Sequence, residues 1–181
     1  MTFFLSGGAK NGKSSLAQDL AVTLSGAGKR YYAATMIPVD EEDRERIRRH
    51  VADRAGLGFE TVECGKSILA CLDQADREGT FLVDSVTALL QNAMFPAEKN
   101  YEMDLEGAER CARELLAFAG MVKNAVFVSD YIASDGDRYE GTTEAYRKCL
   151  ASIDCRLAAA CDTVVEVAAG SRTLHKGVLP V

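Results

Sequence analysis

Nothing in the 181-residue sequence approaches the roughly 20 consecutive apolar residues that a membrane-spanning helix requires, and the N-terminal run Phe3 to Leu5 is too short for the apolar part of a signal peptide. A cytoplasmic protein without a membrane partner is expected. Prolines number only three, and no internal repeat, low-complexity tract or long linker breaks the chain. At this length, with 48% hydrophobic residues, a single domain over 1–181 with one full core is expected. A basic excess is lacking as well. The net charge of -6 excludes a nucleic-acid binder that works by neutralising phosphates over its whole surface, leaving room only for a local basic cleft. No C-x-x-C pair occurs among Cys64, Cys71, Cys111, Cys149, Cys155 and Cys161, which fall in apolar or helical stretches and read as small buried side chains rather than zinc ligands or disulfides.

What is present is alternation. β-rich runs at Phe3 to Ser6, Arg30 to Thr35, Thr80 to Asp84, Ala125 to Ser129 and Thr163 to Val167 alternate with helical patterns at Lys13 to Leu24, Glu41 to Arg54, Ser85 to Met94, Asp104 to Met121 and Thr142 to Ala160. This order predicts a mainly parallel sheet flanked by helices on both faces. "FLVD" and "AVFVSD" are apolar almost throughout and each ends on an acid, so their carboxyl ends are expected to line a site. Phe59 to Val62 reads as a further short strand, "RTLHKG" as a terminal edge strand, and "FPAEKNYEMD" and "ASDGDRYEGTT" as loops.

Gly7-Gly8-Ala9-Lys10-Asn11-Gly12-Lys13-Ser14 satisfies G-x-x-x-x-G-K-S/T, followed by Ser15, with a strand before it and a helix after it. Glycines let successive backbone N–H groups converge on one concavity, and the helix N-terminus adds positive potential. Lys13 is placed to reach the terminal phosphates of a nucleotide and the Ser14 hydroxyl to bind Mg²⁺. Asp84, closing "TFLVD", is the natural acid to hold that ion directly or through water, the lesser alternative being a cap at the start of the next helix.

The second candidate is one of only two histidines. In "VDEEDRERIRRHVADRAG" a spacing of four places Arg46, His50 and Arg54 on one helical stripe. The stripe could meet a triphosphate, with cations keeping the imidazole neutral and nucleophilic. Spacing alone favours a solvated face on which Asp43, Glu45 and Asp53 pair the arginines. His175, in "TLHKG", reads as structural or exposed.

Taken together these segments resemble the bifunctional adenosylcobinamide kinase and adenosylcobinamide-phosphate guanylyltransferase family of cobalamin biosynthesis. "SGGAKNGKSS" is similar to its phosphate loop, with Lys10 and Asn11 where Arg and Ser are usual. "ATMIPVDEEDRERIRRH" resembles an A-T segment followed by D-x-E-x-x-x-R-I-x-x-H, matched by Asp40, Glu42, Arg46, Ile47 and His50. Asp84, Thr87 and Asn92 match D-C-x-T-x-x-x-x-N, and "RLAAACDTVVEVAAG" matches the closing segment. The resemblance implies a RecA-like P-loop NTPase fold and a homotrimer. It also implies ATP, GTP and Mg²⁺ as ligands, a corrinoid substrate, and His50 as the residue that accepts guanylate from GTP.

One region departs from the pattern. Where the family carries N-E-V-G-x-G-x-V-P, this chain has "DYIASDGDR", with Asp130 for Asn, Tyr131 for Glu, Ala133 and Asp135 for glycines and Arg138 for Pro. Further on, Glu144, Tyr146, Arg147 and Lys148 stand for R-x-F-R-D, and Ala151, Ser152 and Asp154 for G-R-x-N. The sequence therefore leaves open another small-molecule P-loop kinase, without covalent use of His50, and a nucleotide-binding module that has lost transfer chemistry.

Overall fold

The computed structural model describes residues 1–132, 137 and 139–180; the departures at Ala133, Asp135 and Arg138 fall outside these. Seven strands form one sheet in the order β3-β2-β4-β5-β1-β6-β7. They are β1 (Thr2–Gly7), β2 (Arg30–Ala34), β3 (Phe59–Glu63), β4 (Thr80–Asp84), β5 (Asn124–Asp130), β6 (Thr163–Ala168) and β7 (Ser171–Lys176). All neighbouring pairs are parallel except β6 with β7.

The helices are α1 (Lys13–Ser25), α2 (Glu41–Asp53), α3 (Val86–Met94), α4 (Leu105–Met121) and α5 (Gly141–Ala160). Strand alternation divides the core into two layers. Phe3, Leu5, Leu82, Val126 and Val128 face Leu16, Ala17 and Leu20 of α1, whereas Phe4, Phe81, Val83 and Phe127 pack with Leu89 and Leu90 of α3, Leu115 and Phe118 of α4 and Leu157 of α5. A central strand covered on both faces must be apolar throughout, which explains the patterns of β4 and β5.

Local chemistry sets the ends of the elements. Ser85, expected to open a helix, is the cap of α3, its hydroxyl accepting from Ala88 N at 3.2 Å, and Asp104 caps α4 by accepting from Gly107 N at 2.9 Å. A 3-10 helix at Ile68–Asp73 carries no periodic signal in the sequence and forms around buried Ile68 and Cys71; a second, Ala97–Lys99, lies within the expected loop. β7 is the antiparallel edge strand, exposed along its length, where His175 meets Glu166 at 3.0 Å. Of the cysteines, Cys64, Cys71, Cys111 and Cys161 are buried, Cys149 is half-buried, and Cys155, contrary to expectation, is exposed on α5. No described helix is long and apolar enough to cross a membrane.

Register decides what meets at the carboxyl edge. Gly7 is level with Asp130 across β1 and β5, and Ala34 with Asp84 across β2 and β4. The phosphate-loop segment therefore leaves β1 directly beside Asp130, with Asp84 one strand further along the same edge.

Candidate nucleotide site

The turn between β1 and α1 depends on glycine at specific points. At Gly7 an added Cβ would stand 2.1 Å from the Val167 carbonyl oxygen, so β6 leaves no room for a side chain. At Gly12, φ is 88°, the left-handed conformation in which only glycine is unstrained, and α1 starts at the next residue. Asn11 ties the loop to the sheet, its Oδ1 accepting from Ala169 N at 3.3 Å.

Lys13 is buried at the start of α1, and its ammonium already has two protein partners. Nζ donates to Gly8 O at 2.6 Å and pairs with Asp130 Oδ1 at 2.9 Å. Asp130 is held in turn by Thr87 of α3, whose Oγ1 accepts from Asp130 N at 2.9 Å, while Tyr146 of α5 donates to Thr87 O at 3.0 Å.

Asp84 sits half-buried at the end of β4. Burial raises its pKa above the usual carboxylate value, and the charge of Asp130 adds to that, while His50 and the hydroxyls of Tyr32 and Ser14 favour the ionised form. Tyr32 donates to Asp84 Oδ2 at 3.3 Å, and its own proton is held more tightly than usual by burial and by that same carboxylate. The Asp84–Ser85 peptide bond is cis. The backbone beyond it is fixed by Thr35, whose Oγ1 accepts from Ser85 N at 2.7 Å and donates to Ser85 O at 2.9 Å. Asn92 completes the brace by donating to Thr35 O at 2.7 Å and Gly65 O at 2.9 Å.

α2 lies over this edge without a single buried residue. Its N-terminus is capped by Asp40, which accepts from Asp43 N at 2.8 Å, and its charges pair along the helix: Arg46 with Glu42 and Asp43, Arg48 with Glu41 and Glu45. Such exposed pairs contribute little to stability. Arg54, expected on the same stripe, is anchored in the body of the protein. It stacks 3.9 Å over the Tyr32 ring and donates to Thr61 Oγ1 at 2.9 Å.

A cavity of about 1270 Å³ collects these parts. Of the residues that the sequence singles out, Ala9, Lys10, Asn11, Gly12, Lys13, Ser14, Ser15, Arg46, His50, Arg54 and Asp84 all line it; Gly7 and Gly8 do not. Asp130, at the strand end expected to line a site, is among the lining residues, as are Arg49 and Tyr32; none of the three was assigned a specific role from the sequence. A signal existed for Asp130, as the acid ending an apolar strand. For Tyr32 there was none, because the reach of its hydroxyl to Asp84 depends on strand order.

A metal would find only a partial set of protein donors. Among the described residues no group of three or more His, Cys, Asp or Glu could hold an ion. The Ser14 hydroxyl beside the Asp84 carboxylate is an all-oxygen pair. That suits Mg²⁺, which keeps most of its waters and takes few protein ligands beside substrate phosphates.

Comparison with known proteins adds the family. The model of the cobinamide kinase / cobinamide phosphate guanyltransferase family matches residues 3–174. The chain belongs to this family. Membership places it among the nucleotide-using transferases that act on cobinamide in cobalamin biosynthesis. A search of curated proteins gave no match. Among solved structures the chain is similar to a protein from Pyrococcus horikoshii OT3, at 10% identity and TM-score 0.55, with 99% of this chain and 87% of that one covered. It is also similar to the flagellar accessory protein FlaH from Methanocaldococcus jannaschii, at 11% identity and TM-score 0.51, with 97% and 78% covered. A third likeness is to a prototypical ATPase of the type III secretion system of pathogenic bacteria, at 12% identity and TM-score 0.55, covering 99% of this chain and 59% of that one. These likenesses carry the fold alone, which is the RecA-like P-loop α/β fold. Within the family pattern the geometry gives Thr35, Thr87 and Asn92 the same structural role, since all three brace backbone at the carboxyl edge of the sheet.

Proposed function

We propose that the protein phosphorylates the aminopropanol hydroxyl of adenosylcobinamide with a nucleoside triphosphate and then transfers GMP from GTP, through His50, to that phosphate. The observation that carries this reading is that His50, on α2, lines the same cavity as Lys13, Ser14 and Asp84.

In the first step the phosphate-loop amides and Lys13 hold the triphosphate, and the substrate oxygen displaces the nucleoside diphosphate from the γ-phosphorus. Lys13 follows the charge that moves onto the leaving oxygen. Ser14 and Asp84 would hold Mg²⁺, which when bound neutralises phosphate charge. In the second step a neutral His50 nitrogen attacks the α-phosphorus of GTP. An N–P bond forms, the bond to the bridging oxygen breaks, and pyrophosphate leaves with the electron pair. The phosphate of the first product then attacks the same phosphorus, breaks the N–P bond and restores the imidazole. Arg46 and Arg49 reach the cavity from the His50 helix and join Lys10 and Lys13 as cations for the pyrophosphate. Arg54 serves by anchoring that helix end.

Incubation with α-labelled GTP and Mg²⁺ tests this. Wild-type protein should take up acid-labile, alkali-stable label; His50→Ala should take up none yet still phosphorylate cobinamide. Triphosphate turnover without label in the wild type would leave the kinase alone, and equal label in both proteins would assign the acceptor elsewhere. We further propose a single-domain cytoplasmic homotrimer, following the family resemblance; light scattering should then give three times the 19.5 kDa chain mass.

A further inference from the structure

The three N–H donors of the Lys13 ammonium face a conflict. One goes to Gly8 O at 2.6 Å and one to Asp130 Oδ1 at 2.9 Å, and the lysine is only 5% exposed. To give the terminal phosphates of a nucleotide more than its one remaining N–H the ammonium must turn away from at least one of these partners. The Gly8 carbonyl belongs to the loop that holds the phosphates, so Asp130 is the partner in competition with them. The pair is charge-assisted and shielded on the lysine side, which makes it stronger than a surface ion pair.

Asp130 is itself well fixed and set among other acidic groups. Its backbone is held by Thr87, and its carboxylate faces Lys13 of α1. Its charge is felt by Asp84 of β4 and by Tyr146 and Asp154 of α5, each of whose protons it helps to retain. Losing Lys13 to a polyanion therefore takes from the Asp130 carboxylate the buried cation that it is paired with.

We propose that Asp130 is a competing anion for the phosphate-loop lysine: a positioning residue that holds Lys13 against the end of β5 until a nucleoside triphosphate displaces it, and so sets the affinity of the loop. This rests on the reading of the loop as a triphosphate site and is independent of the corrinoid and of His50.

The test is a double-mutant cycle on the full chain, read as the Kd of the β,γ-imido analogue of GTP for wild type, Asp130→Asn, Lys13→Met and the double variant. Asp130→Asn should bind about tenfold more tightly than wild type. In the Lys13→Met background the same change should tighten binding several-fold less, because only the general repulsion between Asp130 and phosphate remains to be removed. Unchanged or weaker binding by Asp130→Asn overturns the proposal, as does an equal gain in both backgrounds. Should Lys13→Met bind too weakly to measure, the ¹⁵N resonance of the Lys13 ammonium decides. It should shift in Asp130→Asn before nucleotide is added, and a resonance indifferent to the substitution overturns the pairing. Asp130→Ser replaces Asp130→Asn if the latter does not fold. A wild-type protein that binds no analogue defeats the triphosphate reading itself, and the proposal with it.

Discussion

The Arg54 guanidinium lies 3.9 Å over the ring of Tyr32, whose hydroxyl donates to Asp84 Oδ2 at 3.3 Å. A residue just beyond the exposed helix α2 is thereby joined through one aromatic ring to the acid at the end of β4. Arg54 acts on the site by packing, and its charge is committed to Tyr32 and Thr61 rather than offered to solvent.

Replacing Arg54 by lysine should therefore fail to preserve it. The ammonium keeps the charge but loses the flat stack and the forked donor, so a loss of about 1–2 kcal/mol is expected. At about 2–4 °C per kcal/mol for a chain of this size, thermal unfolding should register it as a lowered Tm. Tyr32→Phe, which keeps the ring and removes the hydroxyl, should unfold close to the wild-type temperature and lose Mg²⁺-dependent turnover instead.

Two glycine-to-alanine changes should move in opposite directions. Gly7→Ala drives a Cβ to within 2.1 Å of the Val167 carbonyl, a backbone clash between β1 and β6, and should cost roughly 1–3 kcal/mol or more along with nucleotide binding. Gly120→Ala, in α4 with nothing within 4 Å of the new atom, should stabilise by about 0.5–1 kcal/mol through helix propensity. Unfolding in urea, with nucleotide binding measured alongside, checks both.

Asp84→Asn should separate stability from activity. Burial works against the ionised carboxylate, so the amide should leave Tm unchanged or raise it. Turnover at fixed Mg²⁺ should fall by about 10²-fold, with the Mg²⁺ titration displaced upward. Lys13→Ala should lower turnover comparably without that displacement.

Asp154, on α5, is a pH-sensitive position. Burial pushes its pKa from 3.8 up to about 7, helped by the charge of Asp130, and its Oδ1 is buried without a hydrogen-bond partner. An acid with a raised folded pKa keeps its proton in the fold over a range where the unfolded chain has lost it. Wild-type stability should therefore decline from about pH 4 to about pH 7 from this residue and level off above. Asp154→Asn removes the dependence, so its Tm should exceed wild type by several degrees at pH 8 and by little at pH 4. A difference that is flat with pH would deny Asp154 this behaviour.

Much of this protein was legible in order along the chain. Alternating strand and helix signals, the doubly apolar β4 and β5, and G-x-x-x-x-G-K-S/T between β1 and α1 rest on local propensity and spacing, which tertiary structure did not disturb. The Ile68–Asp73 helix escaped because it is held by the burial of Ile68 and Cys71 and has no period of its own. Cys155 was misread because an apolar setting in sequence does not say which face of α5 turns inward.

The sequence by itself determined the phosphate loop, the strand-terminal acids and the helix that carries His50, since each is a contiguous motif whose conformation follows from its own residues. Only the tertiary structure decided which of these touch. The order β2-β4-β5-β1 brings Tyr32 to Asp84 and Asp130 to Lys13, pairs separated by 52 and 117 positions in the chain. It also turned Arg54 from a cation on a charged stripe into a buried anchor, because strand order and register are fixed by how two apolar layers close over a sheet, and no local pattern encodes that closure.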